Sequence, residues 1–208
     1  MSEKTKAESN EITAEKLRAI SDYASTTGLP GAYNIRQDSQ CAGRKSSENI
    51  TITSKTDKPG IDIRVKPGTR GETVYIPACV THSSVDDLVY NDFFIGEGAD
   101  VVIVAGCGVH SDGSDTARHN GIHRFFLEKG ARVLYKEKHI GTGKGTGLRK
   151  IDPVTDAYLK EDSYLEMDTV QHHPQHLRRA GQGRENCRPG AYHDRRRRGR
   201  SDQIQGGA

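Results

Sequence analysis

Four times along the middle of this chain a tight turn is followed by a short alternating strand, and no other feature limits its possible folds so strongly. The units are Val65-Lys66-Pro67-Gly68 before Thr73 to Ile76, Ile95-Gly96-Glu97-Gly98 before Val101 to Val104, Leu127-Glu128-Lys129-Gly130 before Val133 to Tyr135, and Leu159-Lys160-Glu161-Asp162-Ser163 before Leu165 to Met167. Their turn residues lie 30, 32 and 33 positions apart. Stacked β-coils require such a repeat, because each coil buries its inward side chains only against its neighbours. Ile50-Thr51-Ile52-Thr53 and Ile61-Asp62-Ile63-Arg64-Val65 add further alternating strands. No helical stretch of about 10 to 15 residues separates the strands, which argues against a βαβ sheet.

The expectation is an all-β fold, an incomplete parallel β-solenoid, with a β-sandwich or small barrel as the alternative. Residues 1–30 form a polar segment with one short amphipathic helix, capped by Thr13, with Leu17, Ile20 and Ala24 on one face and Gly28-Leu29-Pro30-Gly31 as its stop. A helix this short is marginal in water and should dock on the body. Residues 31–171 are the solenoid core. Apolar residues make up 33% of the chain and there is no Trp, so the core should be thin. No apolar run of about 18 residues and no signal-like leader occurs, which predicts a cytoplasmic protein with no membrane partner.

The net charge of +3 averages two unlike parts. Residues 1–171 carry 22 Lys plus Arg against 25 Asp plus Glu, whereas residues 172–208 carry nine Arg, no Lys and three acids. The body gives no electrostatic hint of a nucleic-acid partner. The tail, centred on Arg195-Arg196-Arg197-Arg198, has too few apolar residues to offset its ordering entropy and is expected to be disordered. It reads either as a basic arm for nucleic acid or, preferably, as sequence from another reading frame that truncates the solenoid after Gln171.

Three clusters could carry chemistry. Gly141-Thr142-Gly143-Lys144-Gly145-Thr146-Gly147 resembles the end of a phosphate-binding loop, but Lys138 stands where the first Gly belongs, and Pro153 cuts off the helix such a loop needs. A flexible solenoid loop is the favoured reading. Cys79 with His82, and Cys107 with His110, form two Cys-x-x-His units that could hold zinc. Aligning Thr73 with Val101 puts Cys107 over Cys79 and His110 over His82, and a further offset of 32 puts His139 over Cys107. That column could hand sulfur or a metal along a surface. The alternative for Cys79 is a small buried hydrophobe. Cys107, flanked by Gly106 and Gly108, is expected to be accessible, and His139 beside it would raise its thiolate fraction. Arg118-His119-Asn120-Gly121-Ile122-His123 reads as surface loop. No Ser-His-Asp arrangement, paired carboxylates or dinucleotide fingerprint stands out, so an enzyme is not expected.

The run from Val85 through Phe93-Phe94-Ile95-Gly96-Glu97-Gly98 to Ala105-Gly106-Cys107-Gly108-Val109-His110 resembles the SufB/SufD family of iron-sulfur cluster assembly scaffolds. So do Lys58-Pro59-Gly60-Ile61-Asp62-Ile63, His119-Asn120-Gly121-Ile122-His123, Glu137-Lys138-His139 and Glu166-Met167-Asp168-Thr169-Val170-Gln171. The resemblance implies a right-handed parallel β-helix. It implies partnership with a SufC-type ATPase, a second SufB/SufD subunit and a sulfur donor protein, around a transient iron-sulfur cluster. It makes Cys107 the sulfur-accepting candidate, with Cys79, His139 and His119 in support. Family members continue well beyond residue 171, so the resemblance also implies a partial chain. A zinc-binding structural module using Cys79, His82, Cys107 and His110 is the alternative function.

Overall fold

The computed structural model describes residue 15, residues 17–20 and residues 29–172. Its strands are β1 (Ala32–Gln37), β2 (Gln40–Lys45), β3 (Ile50–Ser54), β4 (Gly60–Val65), β5 (Arg70–Val80), β6 (Asp86–Ile95), β7 (Asp100–His110), β8 (Ala117–Leu127), β9 (Arg132–Thr142), β10 (Arg149–Ile151), β11 (Val154–Leu159) and β12 (Tyr164–His172). They build a β-solenoid of about four turns. One sheet runs β12-β9-β7-β5-β1-β2 and the other β10-β8-β6-β4-β3, with β11 also on β8. Pairing along the stack is parallel, while the hairpins β1-β2 and β3-β4 are antiparallel.

The repeat is physically a stacked turn. Gly68, Gly98 and Gly130 take positive φ, and Asp162 does the same in the fourth coil, so the true repeat there falls one residue before Ser163. Each turn is fastened to the next: the Gly68 N–H donates to the Glu97 carbonyl (2.8 Å), that of Gly98 to Lys129 (2.9 Å) and that of Gly130 to Glu161 (2.9 Å). Glycine suits three of these positions because the left-handed region carries no Cβ penalty for it.

The alternating strands expected at Ile50 to Thr53 and Ile61 to Val65 are β3 and β4, but after Val65 the sequence reading placed only one strand behind each turn, and the structure adds β6 and β8. β6 and β8 were missed as strands because their outward rows also carry aromatic or aliphatic residues, such as Tyr90, Phe94, Ile122 and Phe126, which blur the alternation. Between the sheets the filling is apolar towards the turns, where Phe93 and Phe125 stack with centroids 4.4 Å apart and Tyr135 meets Phe125 edge-on. Val65, Val74, Val101, Ile103, Ile95 and Leu127 belong to the same core, with Ile50, Ile52, Ile61 and Ile63 of β3 and β4.

Residues 15 and 17–20 are helical, and Leu17 packs with Leu29, Ile35, Tyr75 and Cys79 on the outer face of the first sheet. The expected docking of the amphipathic helix is thereby found, while Thr13 and Ala24 lie outside the described residues. His172, the first residue after the compositional break, is the last residue of β12, opposite Ile140. The rest of the Arg-rich segment, residues 173–208, lies outside the described residues. Among the described residues no helix is long and apolar enough to cross a membrane.

Candidate functional site

Two residues farther from the stacked turns than the aromatic core, the filling between the sheets turns polar. Period-two alternation puts Asp87, Val89, Asn91 and Phe93 of β6 on one inward row, and Ala117, His119, Gly121, His123 and Phe125 of β8 beside it. Tyr135, Glu137 and His139 of β9 face them from the other sheet, next to Cys107 of β7. Gly121 leaves room for a neighbouring ring: a Cβ on it would lie 2.3 Å from Nε2 of His123, which would have to move. Arg118 to His123 are therefore strand and not surface loop, and His119 and His123 are buried. Spacing of four puts two side chains on one face of a strand as well as of a helix.

The residues form two linked clusters. In the first, the Arg36 guanidinium donates from Nε and Nη2 to Asp87 (2.9 and 2.6 Å), and His119 Nδ1 lies 2.9 Å from the other carboxylate oxygen. Burial pushes the Asp87 carboxyl up, but hydrogen bonds from His119 and Arg36 outweigh it and hold the group well below the usual range. In the second, Cys107 Sγ lies 3.7 Å from His139 Nδ1, and His139 Nε2 lies 3.1 Å from Glu137 Oε2, off the line of a hydrogen bond. The Tyr135 hydroxyl donates to Glu137 Oε1 (3.0 Å), and His123 Nε2 stands 3.9 Å from the same oxygen. Burial raises the Glu137 carboxyl, but the His139, His123 and Tyr135 partners overcome it and leave it lowered. His123 is pushed down to about 4, by burial first, against the opposing pull of Glu137. Burial, and then the Glu137 charge, push the Cys107 thiol well up. The ordered set thiol, imidazole, carboxylate is the arrangement in which a base takes a nucleophile's proton and a third group steadies the resulting cation.

Both clusters line a cavity of about 480 Å³ between the sheets. Exposed residues of its lining are Cys41 on β2 and Pro59 in the β3–β4 turn, and also Asp86, Leu88 and Pro153. Across the first sheet Cys41, Arg36, Ala78, Cys107 and His139 form one register row. Sequence reasoning missed Arg36, Asp87 and the role of Glu137, and set His123 aside as surface loop, although the alternation Ala117, His119, Gly121, His123, Phe125, Leu127 was there to be read.

The expected column of Cys79, Cys107 and His139 is half right. His139 does pair with Cys107, but Cys107 pairs with Ala78, and Cys79 with Gly108. Gly71, at positive φ, is an extra residue between Arg70↔Asp100 and Glu72↔Val101, so the offset falls from 30 before it to 29 after it, one more than the expected 28. A shift of one residue sends a side chain to the other face. Cys107 accordingly faces the interior with Val80 and Val109, whereas Cys79 faces outward under Leu17 and Leu29. His82 is exposed beyond the strand beside Asp38, and His110 sits with Thr142 and Asp112. The proposed zinc set is not brought together, and among the described residues no group of three or more His, Cys, Asp and Glu is placed to hold a metal ion. Nor is Cys107 opened to solvent by its flanking glycines: it is 1% exposed.

The glycine-rich loop is a structural one. Gly143, Gly145 and Gly147 stack on Ser111, Gly113 and Asp115 of the preceding coil, where a Cβ would lie 2.3, 2.3 and 2.0 Å from backbone oxygens. The Arg149 guanidinium donates to the carbonyls of Thr142, Ser111, Gly143 and Gly145, filling the space beneath the loop.

Over 82 residues the chain is 34% identical to an iron-sulfur cluster assembly SufBD family protein of Methanothermobacter thermautotrophicus, a match covering 38% of this chain and 20% of that relative. The chain thus spans about a fifth of the length of the curated relative it matches. No family model and no solved structure matches the chain.

Proposed function

We propose that this chain serves iron-sulfur cluster assembly as a SufB/SufD-type scaffold and not as a freestanding enzyme, with Cys107 as the thiol that accepts sulfur. The observation that carries this reading is the pairing of Cys107 with His139, 3.7 Å apart inside a polar cavity. The partial likeness to a SufBD family protein supports it. A buried thiol pushed upward in pKa is inert until a base takes its proton, and His139 is placed to do so while Glu137 steadies the imidazolium. In this reading the cluster is cargo, the partners are a SufC-type ATPase and a second SufB/SufD subunit, and the compartment is the cytoplasm.

The test is anaerobic incubation of the full chain with ferrous iron, cysteine and a cysteine desulfurase, followed by assay of iron and acid-labile sulfide. Wild-type protein should gain both, and Cys107→Ser should gain at least about tenfold less sulfide. Equal sulfide uptake by the two proteins would sink the assignment of Cys107.

A further inference from the structure

We infer that a side window in the first coil, framed by Cys41, Pro59 and Leu88, docks an acidic extended loop of the protein that delivers sulfur to Cys107. The inference rests on Cys107 being the sulfur acceptor and goes further by naming the docking surface and the chemistry of the segment that fits it.

The window comes from unequal strand lengths. β6 pairs with β8 from Asp86 onward, but its pairing with β4 starts only at Gly60↔Tyr90. Among the described residues no strand pairs with Asp86 to Val89 on that side. The Tyr90 N–H donates to the Pro59 carbonyl (2.9 Å), so the even-numbered backbone groups of β6 point towards β4. Two residues earlier, Leu88 turns the same groups to the gap. The Leu88 side chain is 41% exposed there, with Pro59 and Cys41 exposed beside it. All three line the cavity that holds Cys107. Cys41 lies opposite Arg36, which binds Asp87, and Asp87 binds His119, so the window opens onto the first polar cluster.

An open strand edge takes an extended segment through main-chain hydrogen bonds, and the space beside it receives alternate side chains. Facing sheets lie about 10 Å apart, so a persulfide on a loop tip that passes β6 comes within reach of Cys107 on the opposite sheet. Charge selects an acidic segment. Arg44, also in the lining, donates from Nε to Asn34 Oδ1 (2.8 Å) and from Nη1 to Ser54 Oγ (2.7 Å), both neutral acceptors. Lys58 lies over the Tyr90 ring at 4.8 Å, with Asp57 3.6 Å away. Lys55 and Arg36 are already paired to Asp62, Asp92 and Asp87, and Asp86 is 3.4 Å from Arg118. Pro153, the remaining exposed apolar residue of the lining, offers no N–H and follows the exposed Asp152, so that side disfavours the same segment.

The transfer step is balanced. His139 Nδ1 takes the Cys107 proton, and the thiolate attacks the terminal sulfur of the donor's persulfide. An S–S bond forms to Cys107 as the donor's S–S bond breaks, and the departing donor thiolate takes the proton from His139. The sulfur keeps its oxidation level, so no oxidant or reductant is needed.

The full chain is reacted in parallel with a cysteine desulfurase persulfidated from isotopically labelled cysteine and with labelled sodium tetrasulfide, then alkylated and mapped by peptide mass spectrometry. Leu88→Glu should slow labelling of Cys107 by the desulfurase about tenfold, and the loss with tetrasulfide, which needs no docking, should be at least about fivefold smaller. Arg44→Gln should slow the desulfurase about threefold at low salt and less at high salt. Val154→Glu, beside Pro153, should leave both reactions within about twofold of wild type. A loss from Val154→Glu with none from Leu88→Glu overturns the window yet leaves Cys107 as acceptor. Equal slowing of both reagents by Leu88→Glu does the same, as does weakened self-association of that variant with unchanged transfer, which would put a second copy in the window. No label on Cys107 from either reagent overturns the acceptor assignment itself.

Discussion

At the scale of single residues, the interior histidines set how the molecule responds to acid. His123 is buried, faces Glu137, His119 and His139, and has its pKa pushed down to about 4 from the ordinary 6.5. Between those values the unfolded chain binds a proton that the folded one refuses. Stability must therefore fall as pH falls through that window, by on the order of 2 kcal/mol between pH about 7.5 and 5. Glu137 and Asp87 work on a different range: both are lowered, so their contribution stays intact until pH falls below the ordinary carboxylate values. His123→Phe places an aromatic ring next to Phe93 and Tyr135, whose centroids lie 5.9 Å from the imidazole, and removes the titration. Urea unfolding of the two proteins at both pH values should give a steeper loss for wild type. Parallel curves would show that His123 is not the titrating group.

At the scale of elements, the stacked turns and the strands β3 and β4 were legible, and β6 and β8 of the second sheet were not. Gly68, Gly98 and Gly130 stand out because a left-handed turn selects glycine, whereas β8 hides because its inward row begins with histidines and its outward row contains Ile122 and Phe126. The register between β5 and β7 was beyond reach for a different reason: one bulge residue, Gly71, decides which face Cys79 takes, and nothing in the composition of either strand reports it. The loop from Gly141 to Gly147 shows how a phosphate-loop likeness can arise from packing alone. Lys144 is exposed and only its backbone N–H is used, donating to Asp112, while Gly145 lies directly against the Gly113 backbone. Gly145→Ala should therefore cost about 1 to 3 kcal/mol, since backbone and not a flexible side chain must yield. Lys144→Ala should stay within about 0.5 kcal/mol and leave ATP affinity absent in both proteins. Thermal denaturation with calorimetric titration of ATP separates these outcomes, and a loss of nucleotide binding on removing Lys144 would revive the phosphate-loop reading.

At the scale of the whole molecule, a solenoid is stabilised coil against coil, so a coil with a neighbour on one side only is its weakest part. Among the described residues that coil is β11 with β12. The outward ladder of Phe94, Phe126 and Tyr158 stacks at 5.1 and 4.9 Å and ends at Tyr158, which is 55% exposed. Inward, Met167 continues the row of Ile103 and Tyr135, and Leu159 that of Ile95 and Leu127, yet they remain 41% and 39% exposed. Among the described residues no strand pairs with the outer edge of β12, and an edge of this kind can add a strand from another molecule. An edge that combines open backbone with apolar side chains recruits a like edge, and the full chain should self-associate reversibly as its concentration rises. Met167→Lys puts a charge where a second coil would have to bury it and should weaken that association by about tenfold or more, a difference of roughly 1.4 kcal/mol. Val104→Lys, on the face already covered by Leu17 and Leu29, should instead lower stability without changing the association constant of the folded fraction. Sedimentation velocity over a hundredfold range of concentration reads both variants, and a wild-type chain that stays monomeric throughout would show that this edge is not what it presents to partners.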